Sequence, residues 1–373
     1  MNTTLIRDNR DATARNLDAR ILAHIGGALD EDVFNRLALD VYAYQFERNA
    51  PYRRYCERMG SDPSRASSWR DGPAVPATSV ADVRLACFGP ERGARTFVSS
   101  GTTSAGAGAS RHELDAAELY DASLLTQYRA LVVPGASALP HVMLAPPFAE
   151  APRSSLSYML SAVDRHFGAP GGGFFVHDDA LDFAGACGAL SAGMPLVVFG
   201  TAFAFVHFAD QCRAAGRRFA LPPGSRVVET GGFKGRSREV ARDELYRSFE
   251  ELFGVRPAFC VSEYGMCELG SQWYDANLAD RFAGRDLRYH VKIGPHWART
   301  IVVDPVTALP LPPGETGLLR IFDLSNRGSV CAILTGDLAR ERDGGIEILG
   351  RHPGAPPKGC SIAADAMIGG VGT

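Results

Sequence analysis

The chain has 373 residues, of which 46% are hydrophobic and 22% are charged, and its formal net charge at pH 7 is −3. This length suits one large domain or two ordinary ones, and the composition is that of a globular protein. Because its basic residues are dispersed among acidic ones, the chain offers no electrostatic surface for nucleic acid or for an anionic membrane.

The N-terminal segment carries several charges and no apolar core, so it does not resemble a signal peptide. Eight cysteines are spread along the chain without a C-x-x-C pair or a histidine cluster, which argues against a zinc site. In a chain of this size they indicate reduced thiols and a cytoplasmic location. We expect all of them except Cys360, which lies near the C-terminus, to be small apolar core residues.

Residues 1–60 are predicted to be helical, because apolar side chains recur at helical spacing through Phe34, Leu37, Val41 and Tyr44. A connector rich in Pro and Ser follows. Together these segments are expected to form a helical packing layer over residues 1–80.

From residue 130 onward, short apolar runs alternate with longer amphipathic stretches. Buried strands are predicted at residues 142–145, 196–199 and 226–228, and a helix over Arg238–Phe253. This alternation is typical of an α/β domain with a largely parallel sheet. We assign that domain to residues 81–290.

One apolar run inside this region is long enough to cross a bilayer, because Phe183 to Ala209 contains no Asp, Glu, Lys or Arg. Glycines and a proline interrupt it, among them Gly193 and Pro195. A helix, a turn and a buried strand explain the pattern better than a membrane span.

Beyond residue 290 the pattern changes to short β-hairpins punctuated by turn residues. Strands are predicted at residues 300–303, 317–322, 330–334 and 345–349. Residues 291–352 are therefore expected to form a β-rich subdomain, and residues 353–373, rich in Gly, Ala and Pro, a flexible tail.

The first candidate binding segment is a loop of hydroxyl residues with a glycine that follows the β-prone residues Phe97 and Val98. Its members are Ser99, Ser100, Gly101, Thr102, Thr103 and Ser104. Glycine lets a ligand approach the backbone closely, successive N–H groups can bind an anion, and hydroxyls donate to phosphate oxygens. The pattern predicts a loop around the phosphates of a nucleotide, although a solvated turn would have the same composition.

Two further candidates follow predicted strands. Gly231 and Gly232 allow a planar base or a phosphate to lie against bare backbone, and Tyr264 can stack on a purine. Glu268, four residues after Tyr264, can hold Mg²⁺ together with substrate phosphates. Taken singly, the glycines are compatible with a structural turn and Glu268 with a solvated surface acid.

The last candidates lie in the β-rich region. Asp337 is predicted at the end of a strand, where it can bind ribose hydroxyls, and Arg351 ends the next strand, where it can meet a phosphate or a ribose. An ordinary β-turn would also accommodate the sequence Thr335-Gly336-Asp337.

Five motifs thus occur in order over roughly residues 95–352: the loop of hydroxyl residues, the Gly-Gly turn, Tyr264 with Glu268, Asp337, and Arg351. In this order they resemble the motifs of the acyl-adenylate-forming enzymes. The resemblance implies an α/β adenylation core with parallel-rich sheets and a β-rich C-terminal part, and it implies ATP and Mg²⁺ as cofactors. It also implies roles for the motif residues: residues 99–103 grip the ATP phosphates, Gly231, Gly232 and Tyr264 line the adenine site, Glu268 serves Mg²⁺ and Asp337 holds the ribose. Thr102, Thr103 and Glu268 are the expected catalytic members of this set.

Two details depart from the common pattern of that superfamily. Ser104 replaces the usual glycine and no lysine follows the loop, although Arg111 could supply the missing charge. Cys267 stands where threonine is usual. These departures concern the grip on the phosphates rather than the family.

A narrower resemblance extends over the whole chain. Residues 37–60, 155–159, 229–239 and 359–361 are similar to the acyl-protein synthetases of the bacterial-luminescence fatty-acid reductase system. That family activates a fatty acid as its adenylate and carries the acyl group on a cysteine near the C-terminus before passing it to a reductase; Cys360 matches this position. Only 22 residues follow Arg351, so the resemblance also implies that the usual mobile C-terminal lid domain is missing.

Three hypotheses remain open from the sequence. The first is an acyl-protein synthetase that carries its acyl group on Cys360 and delivers it to a reductase or a carrier protein. The second is a stand-alone adenylating ligase that delivers an acid to an amine, coenzyme A or a carrier protein. The third is an inactive nucleotide-binding scaffold, in which Ser104 and Cys267 record lost activity.

Overall fold

A computed structural model describes residues 10–99, 109–136, 138–231, 240–352 and 367. The α-helices of this part, in chain order, are α1 Ala12–Ile25, α2 Glu31–Arg48, α3 Ala50–Arg58, α4 Glu118–Leu131, α5 Ser155–Phe167, α6 Phe183–Leu190, α7 Ala202–Ala214, α8 Arg242–Phe253 and α9 Asn277–Phe282. The strands are β1 Val75–Pro76, β2 Arg95–Val98, β3 Arg111–Leu114, β4 His141–Leu144, β5 Gly173–Phe174, β6 Val176–His177, β7 Ala180–Leu181, β8 Val197–Thr201, β9 Arg226–Thr230, β10 Cys260–Tyr264, β11 Trp273–Asp275, β12 Lys292–Ile293, β13 Ala298–Val303, β14 Gly317–Asp323, β15 Ala332–Arg342 and β16 Gly345–Arg351.

The chain forms two compact units. The first contains Met1–Ser123, Met266–Ser271 and Gly294–Thr373, and the second contains Leu124–Gly265 and Gln272–Ile293. These units divide the chain at positions different from the segments 1–80, 81–290, 291–352 and 353–373 expected from the sequence. The reason is that the N-terminal helices share a hydrophobic core with strands from the C-terminal third.

The first unit is built around an antiparallel sheet of strands β13 to β16 in chain order, with β1 pairing in parallel with β15. The predicted helical layer covers it: Ile21, Phe34 and Val41 from α1 and α2 share one buried cluster with Ile301 and Phe322 from the sheet. Strands β2 and β3 form a separate two-stranded hairpin. The sequence therefore predicted both the helices and the hairpins, but not that they pack together.

The second unit contains the predicted parallel sheet. Strands β10, β9, β8, β4 and β5 are neighbours in this order and all parallel, and β11 and β12 extend the sheet antiparallel beyond β10. Val198 and Val227 from the strands pack with Phe205, Phe208 and Phe249 of α7 and α8 in one buried cluster. The strands predicted at 142–145, 196–199 and 226–228 are confirmed, and the helix predicted to begin at residue 238 begins at Arg242.

The long apolar run folds as the sequence indicates. Helix α6 ends at Leu190, Gly193 adopts a φ of 75° that favours glycine, and β8 and α7 follow. Among the residues that the structure describes, none of the helices is both long and apolar enough to cross a membrane.

Six of the seven cysteines in the described part are buried, as expected. Burial raises the pKa of the Cys56 thiol to about 11 and that of Cys87 to about 12, so both are protonated at neutral pH. The expectation was wrong for Cys267, which is only partly buried because it lies in the turn after β10. Cys360 lies outside the described residues.

A buried ion cluster ties together distant segments of the first unit. The guanidinium of Arg327 is 1% exposed and pairs with Asp18 through Nε at 2.7 Å and with Asp115 through Nη1 at 2.8 Å. Arg10 also pairs with Asp18, at 2.8 Å. The cluster joins α1, the segment after β3 and the turn after β14.

Candidate active site

The structure brings three of the predicted charged residues of the first unit together. Asp337 on β15 and Arg351 on β16 are paired in register across the two strands. The Nε atom of Arg351 lies 3.3 Å from Oδ1 of Asp337. The prediction that Asp337 ends a strand is wrong, because pairing with β16 continues β15 to Arg342. The prediction that Arg351 ends its strand is confirmed.

Glu268, the third member of this cluster, is 9% exposed and is therefore not a solvated surface acid. Burial raises the pKa of its carboxyl group, while a hydrogen bond from the Ser110 side chain and the charge of Arg351 lower it. The negative charge of Asp337 acts in the opposite direction and raises it further. Glu268, Asp337 and Arg351 thus form one electrostatically linked group.

The β2–β3 hairpin fixes both ends of the predicted phosphate loop. The backbone N–H of Ser99 donates to the carbonyl of Ser110 at 2.9 Å, and the backbone N–H of Ser110 donates to the Ser99 hydroxyl at 2.9 Å. Arg111 follows directly and is exposed. The predictions for Ser100, Gly101, Thr102 and Thr103, like those for Gly232 and Cys360, fall outside the described residues.

The predicted adenine-site residues of the second unit lie at the same edge of its sheet. Gly231 directly follows β9 and Tyr264 ends the neighbouring parallel strand β10. Gly231 has a φ of 67°, so a side chain at this position would be strained. The Tyr264 ring is partly exposed and packs edge-to-face on Trp273, with 6.4 Å between the ring centroids. The carboxyl edge of parallel strands is where α/β folds bind ligands.

The sequence did not predict a group of buried ionisable residues in strands β9 to β12. Lys292 donates from Nζ to Oδ1 of Asp275 and to the carbonyl of Ser262, each at 3.0 Å. Burial raises the pKa of Glu263 to about 7, against a hydrogen bond from Thr230 that lowers it. Glu263 directly precedes Tyr264, and Glu229 lies two residues before Gly231. Both are buried, and the register of β9 against β10 pairs Glu229 with Ser262 and Glu263 with Thr230, so the two carboxyl groups lie on opposite faces of the sheet. The sequence alone does not show this burial.

This burial leads to a prediction for Glu263→Gln. Because the folded-state pKa is about 7 rather than 4.5, the native protein holds a proton on Glu263 that the unfolded chain releases over that range. The contribution of Glu263 to the free energy of unfolding therefore decreases as the pH rises from about 4.5 to about 7. At about 1.4 kcal/mol per unit of pKa shift, the variant should gain about 1–3 kcal/mol relative to wild type over this range.

Urea denaturation of both proteins at several pH values measures this difference. Glu315→Gln, which changes an exposed glutamate, serves as the control. A stability difference between wild type and Glu263→Gln that stays constant with pH would contradict a raised pKa for Glu263.

Within the described residues, no group of three or more His, Cys, Asp or Glu side chains is placed to hold a metal ion. A Mg²⁺ ion that acts on a nucleotide needs only one or two carboxylates, because substrate phosphates and water supply its other ligands. A single buried carboxylate such as Glu268 fits that donor set.

The architecture is that of an adenylate-forming ligase. The chain superposes on 2-hydroxyisobutyryl-CoA ligase in its postadenylation state, in complex with 2-HIB-AMP, with a TM-score of 0.63 and 18% identity, covering 85% of this chain and 67% of that one. With the same ligase in its thioesterification state, in complex with 2-HIB-AMP and CoA, the TM-score is 0.62, at 18% identity and over 91% of this chain and 69% of that one. The fold expected from the sequence is therefore confirmed.

The family follows from the sequence. The model of the family described as acyl-protein synthetase, LuxE, matches residues 4–367, and the chain belongs to this family. A relative, the long-chain-fatty-acid–luciferin-component ligase of Vibrio harveyi, is 23% identical over 343 residues, which cover 88% of this chain and 86% of the relative. The narrower of the two resemblances is thus confirmed.

Proposed function

We propose that this protein activates a fatty acid with ATP as an acyl-adenylate, releases pyrophosphate and then transfers the acyl group to a thiol. The observation that carries the proposal is the linked group of Glu268, Asp337 and Arg351 in a member of the acyl-protein synthetase family. The name of the Vibrio harveyi relative supports a long-chain fatty acid as the substrate class.

In this proposal each part of the site binds one part of the nucleotide. Backbone N–H groups and hydroxyls of residues 99–103 hold the phosphates, with Arg111 adding a positive charge. Gly231, Gly232 and Tyr264 line the adenine site, and Asp337 accepts hydrogen bonds from the ribose. Arg351 offsets the charge of Asp337 and can reach a phosphate.

Glu268 is the proposed ligand for Mg²⁺, which when bound would neutralise charge on the phosphates. Loop donors held by the β2–β3 hairpin would orient the α-phosphate in line with the attacking carboxylate. Positioning and fixed N–H donors supply most of the rate enhancement in such a reaction.

For the second step we propose Cys360 as the acyl carrier. Its thiolate would attack the carbonyl carbon of the adenylate; a C–S bond forms, the C–O bond to AMP breaks, and AMP leaves with the electron pair while the thiol proton passes to solvent. Cys360 is eight residues after His352, so at roughly 3.6 Å per residue it stays within about 30 Å of that residue. On its other side Met367 is buried, and its carbonyl accepts a hydrogen bond from Nε of Arg54 at 2.8 Å. The thioester would then pass to a reductase or a carrier protein.

Intact mass spectrometry after incubation with MgATP and fatty acids of increasing chain length tests both steps. We expect an added mass of one acyl group that hydroxylamine removes and that Cys360→Ser abolishes. Ser361→Ala is the matched control, because it changes the neighbouring residue and leaves the Cys360 thiol in place; it should keep the adduct.

Two other outcomes would favour the other hypotheses. Release of pyrophosphate without any adduct would support a stand-alone ligase with an external acceptor. Binding of ATP without release of pyrophosphate, with any acid tested, would support an inactive scaffold.

A further inference from the structure

The segment that carries Glu268, residues 266–271, forms a turn without regular secondary structure between β10 and β11. The N–H of Leu269 donates to the carbonyl of Met266 at 3.2 Å within the segment, and other backbone groups need partners outside it. Side chains supply them along the segment. His112 donates from Nδ1 to the carbonyl of Cys267 at 2.8 Å. Asn326 donates from Nδ2 to the carbonyl of Glu268 at 2.8 Å, and Asp323 accepts from the N–H of Gly270 at 3.0 Å.

Asp323 is the centre of this set of contacts. Its carboxylate is fully buried and also accepts from the Ser271 hydroxyl at 2.8 Å and from the Ser325 hydroxyl at 2.6 Å. It accepts in addition from the backbone N–H of Ser325 and so caps the single turn of 3-10 helix Leu324–Asn326. These donors offset the cost of burying a carboxylate. One side chain thus fixes both the turn and the segment facing it.

Residues 266–271 and the 3-10 turn Leu324–Asn326 are in close contact at Gly270. A Cβ atom added at Gly270 would lie 2.3 Å from the Ser325 hydroxyl oxygen. The main chain of the Glu268 segment is therefore locked against the 3-10 turn both by packing and by hydrogen bonds.

The Asn326 side-chain amide is buried with only part of its hydrogen-bonding capacity satisfied. Its side chain is 1% exposed, and Oδ1 has no hydrogen-bond partner in the described part of the protein. Burying an unpaired acceptor is unfavourable by about 1–3 kcal/mol. Against this cost, the Nδ2 atom of the same amide donates the hydrogen bond to the carbonyl of Glu268.

The same turn is also held from the side of the N-terminal helices. Gln45 of α2 donates from Nε2 to the carbonyl of Asn326 at 2.9 Å and to that of Arg327 at 3.1 Å, and it accepts from the N–H of Cys331. These hydrogen bonds stabilise the turn without reaching residues 266–271. Gln45 therefore provides a matched control for a role that is only structural.

We propose that Asn326, supported by Asp323 and His112, is a positioning residue that fixes the Glu268 carboxylate for Mg²⁺ bound with ATP. The proposal rests on the proposed function, in which Glu268 holds that ion. Residues that orient a metal ligand typically change metal affinity by about 10–100-fold when they are replaced.

Isothermal titration calorimetry with ATP, in MgCl₂ and separately in EDTA, measures the gain in affinity that Mg²⁺ provides. For Asn326→Leu, which keeps the size of the side chain and removes the donor, we expect MgATP to bind about tenfold or more weakly. Binding in EDTA should change by less than about twofold, since the contacts to adenine and ribose are untouched. Gln45→Leu should lower the melting temperature and keep the full gain from Mg²⁺.

Each outcome is decisive. If Asn326→Leu keeps the wild-type gain from Mg²⁺, or if Gln45→Leu loses it equally, Asn326 is a structural residue and the proposal is wrong. If Asn326→Leu does not fold, His112→Leu removes the donor to Cys267 and must show the same selective loss. If ATP binds the wild-type protein equally well with and without Mg²⁺, the role of Glu268 in the proposed function fails, and the positioning role fails with it.

Discussion

Replacing Glu268 by alanine is expected to lower ATP–pyrophosphate exchange by about a hundredfold or more. The carboxylate is buried beside Asp337 and Arg351, and the carbonyl of its own residue is held by Asn326, so its position is fixed before ligands arrive. Alanine at this position removes the proposed ligand for Mg²⁺ together with its negative charge. The Asp337→Ala variant should show a comparable loss, mainly as a higher KM for ATP.

Exchange of radiolabelled pyrophosphate into ATP, with the fatty acid identified by mass spectrometry, measures these losses. Glu315→Ala, an exposed acid of the same unit, is the control and should keep wild-type exchange. Melting temperatures of all three variants show whether any loss reflects unfolding. Exchange near the wild-type rate in folded Glu268→Ala or Asp337→Ala would remove that residue from the site.

Replacing Arg327 by methionine is expected to destabilise the protein by about 3–5 kcal/mol. Burial alone would lower the pKa of Arg327, but hydrogen bonds and charges from Asp18 and Asp115 hold it well above its usual value. Without the guanidinium, these two carboxylates would remain in the interior with much of their charge uncompensated. The large loss of stability therefore comes from leaving the Asp18 and Asp115 carboxylates buried without a counter-charge, and not from the strength of the ion pairs themselves.

Urea denaturation measures this loss, and two further proteins test its cause. Arg213→Met removes an exposed pair with Asp210 and should cost less than about 1 kcal/mol. Adding Asp18→Asn and Asp115→Asn to Arg327→Met should recover part of the loss, because the stranded charges are then gone. A loss below about 1 kcal/mol for Arg327→Met, or no recovery in the triple variant, would contradict this account.

The two buried networks of the first unit meet at one turn. Asp323 and Asn326 hold the Glu268 segment, and Arg327, the next residue, binds Asp18 of α1 and Asp115 beyond the β2–β3 hairpin. The N-terminal helices are thus connected through hydrogen bonds and ion pairs to the segment that carries the proposed metal ligand. This explains why a layer to which the sequence assigns no chemistry is part of the same compact unit.

The sequence by itself determined the helices, the strands, the fold class and the family. Apolar residues at helical spacing in α2, short apolar runs in β8 and β9, and turn residues between β13 and β16 are local patterns, and local patterns set secondary structure. The ordered motifs then indicated the adenylate-forming fold through their resemblance to those of the acyl-adenylate-forming enzymes. They also supplied the candidates Glu268, Asp337 and Arg351, which the structure places together.

Only the tertiary structure decided which side chains support those candidates. Asp323 and Asn326 read as an ordinary polar turn after a strand, and nothing local shows that Asp323 meets Gly270, 53 residues earlier in the chain. Cys267, expected in the core, is partly exposed, and Asp337, expected at a strand end, lies inside β15. Burial, strand length and hydrogen-bond partners depend on segments that come together only on folding, so a single stretch of sequence does not encode them.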